Sequence, residues 1–166
     1  TIPYSDDFVD IVDNYKKRFN VKTSIIFSTV KVGTTKKIGS AVHCPIEGKH
    51  PNLTDSIKRW QVFMGGYEKE AFRFFAVADK LPRVLESSEH TEFMKLQSTT
   101  NYGVQIEYAR YVGDVCDKIG LDYDEIIAYN MSYNSLYKKL GMPTLQRQII
   151  TPPEEDGIHG HCILEN

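Results

Sequence analysis

The residues near the carboxyl-terminal end of the chain have the types and spacing that suit a reactive thiol. Cys162 follows His161 directly, and Gly157, His159 and Gly160 come just before it. Glycines let backbone N–H groups approach the sulfur, and a neighbouring imidazolium lowers the pKa of a thiol, so the pattern favours a nucleophile. The same residues also fit a plain turn closed by a small apolar cysteine, and the residues alone leave both interpretations open.

The histidines and cysteines suggest a second chemistry, which is zinc binding. His159, His161 and Cys162 could combine with His43 and Cys44, which fall on an earlier predicted strand. No separated Cys-x-x-Cys or His-x-x-x-His pair fixes a ligand framework, so we expect no metal site. The three cysteines are an odd and sparse set, which is typical of a reducing compartment rather than of a disulfide scaffold.

Two further side chains stand where chemistry could occur. Lys95 lies among apolar residues near the start of a predicted long helix, where a lysine more often keeps its ammonium group in water than acts as a catalytic cation. Thr29 ends a predicted strand, and open α/β sheets bind ligands beyond the carboxyl ends of their strands. Ser28 and Thr29 also fit an ordinary strand end that bonds to nearby backbone, so this alternative stays open.

The elements that must position these residues begin with an α/β pattern. A helix is expected to start at a Ser5 cap, and short apolar runs predict strands covered on both faces, as in a parallel sheet. Pro82 is expected to end a later helix. The predicted elements are helices at 5–19 and 68–81, strands at 24–30, 41–44 and 61–64, and a loop at 45–55.

The second half of the chain predicts helices. Two neighbouring apolar rows between about Glu92 and Ile119 predict one long helix that is covered on more than one side. The first row is Val104, Tyr108, Tyr111, Val112, Val115 and Ile119, and the second is Ile106, Ala109, Gly113 and Cys116. A helix about 40 Å long is longer than a half-sized domain can cover along its apolar rows. We therefore expect a second copy of the chain to cover the rest, in a homodimer through this helix. Asp122 and Glu125 predict the start of another helix, which ends at Gly141.

The composition excludes several classes of protein. With 20 basic and 22 acidic residues the net charge is −2, which argues against nucleic acid or an anionic membrane surface as the main partner. No apolar run approaches the roughly 20 residues of a membrane span. Residues 1–7 lack the basic and apolar parts of a signal peptide. We therefore expect a cytoplasmic protein.

Together these segments resemble the UDP-glucose/GDP-mannose dehydrogenase family. Residues 157–164 are similar to that family's Gly-x-Gly-Gly-[His/Ser]-Cys-[Ile/Phe]-Pro motif, and residues 28–35 to its Ser-Thr-Val-x-x-Gly-Thr-Thr turn. Residues 45–49, with Met64-Gly65-Gly66 after them, fall where the family has its Pro-Glu loop and its Gly-Gly. Lys95-Leu96 resembles the family's Lys-Leu-x-x-Asn-Thr start of a central helix.

The resemblance implies NAD-dependent oxidation of the C6 hydroxyl of a nucleotide sugar to a carboxylate. It implies that Cys162 captures the aldehyde and later carries a thioester, that Lys95 stabilises the oxyanion, and that Thr29 holds the reacting water or hydroxyl. It also implies substrate binding by Glu47, Gly157, Gly160 and His161, and cofactor binding by Thr29 and Val30.

The chain departs from the family pattern at several positions. Thr99 stands where the family has an asparagine, and Asn166 stands where it has an aspartate. Because asparagine cannot act as a general base near neutral pH, one expected proton acceptor is absent. Ile46 follows Pro45 in place of a glutamate, so Glu47 is the carboxylate expected in that loop. No Gly-x-Gly-x-x-Gly loop is present, so we expect a truncated chain that neither binds NAD nor is active alone.

The sequence thus predicts two parts. Residues 1–88 are expected to form a partial Rossmann-like parallel sheet, and residues 89–166 an all-helical central dimerisation domain that ends in the cysteine loop. The predicted function is that of a nucleotide-sugar 6-dehydrogenase fragment. The alternative is a non-catalytic dimerisation or assembly module derived from the same scaffold, which Thr99 and Asn166 favour.

Overall fold

The computed structural model describes residue 2, residues 4–48 and residues 53–150. The helices are α1 (Phe8–Phe19), α2 (Leu53–Arg59), α3 (Lys69–Val77), α4 (Ser88–Ile119) and α5 (Tyr123–Lys139). The strands are β1 (Ser24–Ile26), β2 (Ala41–His43), β3 (Phe63–Gly65) and β4 (Arg83–Leu85). The chain divides into two compact units, Thr1–Ser98 and Thr99–Asn166. The domain boundary predicted after residue 88 coincides with the start of α4 and stays a prediction.

The α/β fold class is confirmed, but the sheet is mixed rather than parallel. Its four strands lie in the order β1-β2-β3-β4, with parallel pairing of β1 to β2 and of β3 to β4. Between these pairs β2 and β3 run antiparallel, and His43 is the partner of Gly65. The apolar runs indicate which strands are buried, but the path of the connection between two strands sets their direction.

The first apolar core lies between α1 and β1. It contains Phe8, Val12, Ile26, Val30 and Ile38, all of them buried. The prediction that Ser5 caps α1 is wrong, because Asp7 occupies the cap position and accepts a hydrogen bond from the Ser5 hydroxyl at 2.6 Å.

The second core lies between the sheet and α3. It contains Val42, Cys44, Met64, Ala71 and Phe75. The helix predicted at 68–81 ends instead at Val77, and the next residues lead to β4, a strand that was not predicted. The loop predicted at 45–55 includes the start of α2, and the third strand is shifted so that Gly65 belongs to it.

The long helix is confirmed and begins at Ser88, a few residues before the predicted start. In its later part Ile106, Ala109 and Cys116 are buried. In the other apolar row Val112 and Val115 are half-buried, and the exposed residues are Val104, Tyr108 (62%), Tyr111 and Ile119. The dimer expected from this row stays a prediction. Asp122 caps α5 as predicted, because its carboxylate accepts the N–H groups of residues 124 and 125.

No helix in the part of the chain that the structure describes combines the length and the apolar character needed to cross a membrane.

Candidate active site

The start of α4 lies directly on the paired ends of β2 and β3. The Ser88 hydroxyl donates to the Gly65 carbonyl oxygen at 2.9 Å and accepts the His43 backbone N–H at 3.3 Å. A Cβ on Gly65 would stand 2.4 Å from the Ser88 Cα and 2.5 Å from the Thr91 Oγ1. Only a glycine therefore allows the helix to approach the sheet this closely.

His43 is a buried histidine that joins three segments of this site. Its Nε2 lies 3.1 Å from the Ser28 carbonyl oxygen, and its Nδ1 lies 3.0 Å from the Thr91 hydroxyl. Because a carbonyl oxygen only accepts, Nε2 is assigned the proton, and Nδ1 is then an acceptor beside the Thr91 hydroxyl. The carbonyl oxygens of His43 and Ser88 are also within reach of the single proton of that hydroxyl. Burial lowers the pKa of His43 to about 4; the bond to Ser28 opposes this shift, and the charge of Lys95 adds to it. His43 is thus a neutral structural group near neutral pH.

Glu92 holds the turn that follows Val30. Its carboxylate is completely buried and accepts the backbone N–H of Gly33 at 2.6 Å and that of Thr35 at 2.8 Å. Sequence reasoning treated Glu92 only as part of a helix. Its position in the sequence could have indicated this role. Glu92 lies three residues before Lys95, and the start of the helix around it is partly apolar. Glu92 therefore links the Gly33–Thr35 turn to the helix that carries Lys95.

Lys95 is buried rather than extended into water, so the alternative of a surface lysine is wrong. The residue is 9% exposed. Its ammonium group donates to the Ile46 carbonyl oxygen at 3.0 Å and pairs with the Glu47 carboxylate at 3.1 Å. The structure thus brings together two of the predicted site residues, Lys95 and Glu47. A fixed, partly desolvated ammonium of this kind can stabilise a developing oxyanion.

Three further predicted residues are Thr29 and Val30, which follow β1 in the first unit, and Thr99 on α4. Val30 is 2% exposed and belongs to the apolar core, so its side chain is not available to a cofactor. Thr29, beside it, is partly buried. Thr99, where the family has an asparagine, is partly buried and lies one helical turn after Lys95 on α4.

The cysteine motif lies outside the described residues. The predicted site residues concerned are Gly157, Gly160, His161, Cys162 and Asn166. Their roles stay predictions.

The zinc-binding alternative uses His43 and Cys44, and both side chains have other surroundings in the structure. Both ring nitrogens of His43 have hydrogen-bond partners, and burial raises the pKa of the Cys44 thiol to about 12. Within residues 2, 4–48 and 53–150 no group of three or more histidine, cysteine or acidic side chains could hold a metal ion.

A small cavity lies beside the Lys95–Glu47 pair. Its volume is about 310 Å³, and it is lined by Glu47, Gly48, Ser56, Arg59 and Trp60. Sequence reasoning did not single out the last three residues, which belong to α2 or follow it directly. Because α2 was not predicted, the sequence did not indicate which of its side chains share one side of a helix.

Comparison with known proteins supports the fold. No protein-family model matches the chain, and no curated protein is significantly similar to it. Among solved structures the chain is similar to UDP-D-ManNAc dehydrogenase from Pyrococcus horikoshii, with a TM-score of 0.64 and 19% sequence identity. The match covers 85% of this chain but only 35% of that enzyme. The predicted resemblance is thus confirmed at the level of the fold.

Proposed function

We propose that this chain is part of an NAD-dependent nucleotide-sugar 6-dehydrogenase, which oxidises the C6 alcohol of the sugar to a carboxylate. The observation that carries the proposal is Lys95, a buried cation held by the Ile46 carbonyl and the Glu47 carboxylate. It occurs on a fold similar to that of an enzyme named for a UDP-linked sugar, UDP-D-ManNAc dehydrogenase. That name supports a nucleotide sugar as the substrate.

The proposed chemistry uses Cys162 and Lys95 at the aldehyde stage. The thiolate of Cys162 adds to the aldehyde carbon, and the carbonyl electron pair becomes an oxyanion. The Lys95 ammonium stabilises that negative charge, and Thr29 holds the water or hydroxyl near the reacting carbon. The carbon of this adduct must lose a hydride, which NAD would accept when bound, and the adduct then becomes a thioester. Water attacks the thioester, the thiolate of Cys162 leaves and the carboxylate is released.

We infer that the described residues do not by themselves bind NAD. A pyrophosphate commonly binds at a helix N-terminus, where backbone N–H groups are free and the dipole is positive. Every helix from α1 to α5 in the described ranges carries an acid in its first turn, and these acids repel an anion there. We therefore assign no cofactor contact to these helices, and we expect the chain alone not to bind NAD.

The second candidate function is a non-catalytic dimerisation or assembly module. It is favoured by the exposed apolar row on α4, in which Val104, Tyr108 and Tyr111 are each more than half exposed. Thr99 and Asn166, which replace the asparagine and the aspartate of the resembled family, fit the same candidate. Both candidates include a homodimer through α4.

The experiment that separates them is the pH dependence of alkylation at Cys162 in the full chain. Peptide mapping by mass spectrometry gives a rate for each cysteine, with Cys44 and Cys116 as internal controls. An enzyme requires an activated thiol, so the dehydrogenase predicts a Cys162 pKa below about 8.5, the ordinary value. An ordinary or raised pKa would favour the module.

A further inference from the structure

The helix α3 carries large apolar side chains on its outer face as well as on its inner face. Ala71 and Phe75, on the inner face, belong to the second core. On the outer side Phe74 is 57% exposed and Val77 is 91% exposed, and Leu81, just beyond the helix, is 73% exposed. Positions i and i+3 lie on the same side of a helix, so Phe74 and Val77 form one exposed row. Contiguous apolar surface of this kind marks an interaction site.

The shape of this outer face suits a second helix. A shallow depression of about 420 Å³ lies on it, lined by Glu70, Arg73, Phe74, Val77 and Ala78. All five residues belong to α3 or follow it directly, so the depression is formed by the surface of one helix. When two helices pack, the side-chain ridges of one enter the grooves of the other. The large Phe74 and the small Ala78 provide such a ridge and such a gap.

The charges on α3 match a second copy of the same helix in the antiparallel direction. Arg73 precedes the middle of the row, and Asp79 follows its end. Arg73 lies beside Glu70 at 3.4 Å with most of its side chain exposed, and Asp79 forms no ion pair within residues 4–48 and 53–150. An antiparallel pair brings Arg73 of each copy to Asp79 of the other, and it also aligns the helix dipoles favourably. A parallel pair would place like charges together.

We propose that α3 binds α3 of a second copy of the chain, as an antiparallel pair about a twofold axis. Phe74 of each copy packs over Ala78 of the other, and the two Val77 side chains meet near the axis. Arg73 of each copy pairs with Asp79 of the other at the edge of the contact. Because the axis makes the same patch meet itself, each interaction occurs twice. This contact is additional to the dimer expected through α4, and it does not depend on the proposed function.

The contact is small, and its affinity is accordingly low. Stable interfaces bury about 800 Å² on each partner and involve about 20–30 residues a side. The outer face of a helix of nine residues supplies much less than this. We therefore expect a dissociation constant on the order of 0.1 mM, so the pair forms well above micromolar concentration.

Sedimentation equilibrium from about 10 µM to about 1 mM measures this association. The background is the Tyr108→Glu variant, which blocks the contact expected through α4. It should be monomeric at the lowest concentration and dimeric at the highest. Adding Val77→Asp should raise the dissociation constant about tenfold or more, because two carboxylates would meet near the axis. Adding Ala76→Asp is the matched control, at an exposed position of α3 outside the row, and should leave the association unchanged.

Disulfide formation tests the direction of the pair. Under oxidised glutathione at the highest concentration, a Val77→Cys variant should form a disulfide between the two introduced thiols, found by peptide mapping. A Glu70→Cys variant should not, because its two thiols would stand about 18 Å apart along the axes of an antiparallel pair. Equal cross-linking of the two variants would overturn the antiparallel arrangement.

Two results would overturn the contact itself. One is a background chain that stays monomeric at the highest concentration, and the other is an equal dissociation constant for the Val77→Asp and Ala76→Asp chains. Val77 is almost fully exposed, so its substitution leaves the fold intact. Circular dichroism of each variant checks this. Alkylation of Cys162 does not involve α3, so this proposal and the proposed function can fail separately.

Discussion

Glu92 accepts the backbone N–H of Thr35 at 2.8 Å, and both residues are buried although 57 positions separate them in the sequence. A second oxygen of the same carboxylate accepts the Gly33 N–H. One side chain on α4 thus fixes the turn that follows the end of β1. The turn and the helix start are therefore a single structural unit.

The Glu92→Ala substitution should strongly destabilise the first unit of the chain. The buried N–H of Thr35 and the part-buried N–H of Gly33 would lose their acceptor. An unsatisfied buried group costs about 1–3 kcal/mol. Urea unfolding followed by circular dichroism measures the loss of unfolding free energy. The Glu107→Ala variant, at an exposed glutamate on the same helix, should unfold like the unchanged chain. Equal midpoints for the two variants would contradict the role of Glu92.

The Gly65→Ala substitution should lower the melting temperature, because the new methyl group has no space. Its carbon would stand 2.4 Å from the Ser88 Cα and 2.8 Å from the Ser87 carbonyl oxygen, and backbone atoms cannot move aside cheaply. Overpacking of this kind costs about 1–3 kcal/mol. Gly39→Ala is the control, since nothing lies within 4 Å of the added carbon there. A Gly65→Ala variant as stable as the control would show that α4 does not approach β3 so closely.

His43 should make the folded state less stable in acid. Its pKa is lowered from 6.5 to about 4 by burial. Between these two pH values the unfolded chain takes up a proton that the folded chain does not, so unfolding becomes easier as the pH falls. The resulting loss of unfolding free energy reaches about 3 kcal/mol below about pH 4, and no loss is expected above about pH 6.5.

Urea unfolding of the chain and of a His43→Gln variant at about pH 7 and about pH 4 isolates this contribution. The variant should be less stable at the higher pH, because the bonds to Ser28 and Thr91 are altered. Its stability should also fall less with acid. Identical losses in the two proteins would mean that His43 is protonated in the folded state at an ordinary pKa.

Cys44 should resist alkylation as long as the chain is folded. Its side chain lies in the second core, and burial raises the pKa of its thiol to about 12. Both effects keep the reactive thiolate scarce at neutral pH. Iodoacetamide labelling with peptide mapping should find Cys44 unmodified in buffer and fully modified in urea. Rapid labelling of Cys44 in the native chain would show that the core around Met64 opens readily.

The exposed row on α4 should control the association state of the chain. We expect sedimentation of the unchanged chain as a dimer at micromolar concentration, because large apolar side chains seldom form a continuous exposed stripe on a monomer. The Tyr108→Glu variant should sediment as a monomer. Tyr129→Glu makes the same substitution at an exposed position on α5 and should remain dimeric. A monomeric unchanged chain would rule out the dimer.

The features that follow from local rules could be predicted from the sequence. The long helix α4 was found from its apolar spacing, and the cap of α5 from Asp122, because both depend on neighbours within a few residues. The β2–β3 pairing was missed, since an apolar strand does not reveal the direction of its partner. The strand β4 was missed because Arg83 and Val84 are exposed, so it lacks the buried apolar run from which the other strands were predicted.

The candidate site was predicted only in part. The resemblance to a dehydrogenase family selected Lys95 and Glu47, and the structure brings them together. Glu92 was overlooked because an acid near a helix start is ordinary, and its partners lie more than fifty positions away. The predicted strand 61–64 ends just before Gly65, whereas Gly65 belongs to β3 and its lack of a side chain admits Ser88. Contacts that are distant in sequence leave no local pattern.

The carboxylate of Glu92 also determines when solvent reaches the turn at the end of β1. The amide protons of Gly33 and Thr35 are held by a side chain of α4, so we expect both to exchange with deuterium when the contact between that helix and the turn opens. Amides that share one opening event exchange with the same free energy, as members of one cooperative unit. We therefore expect the turn that follows Val30 and the start of the helix that carries Lys95 to open together, and their amides to show the same protection.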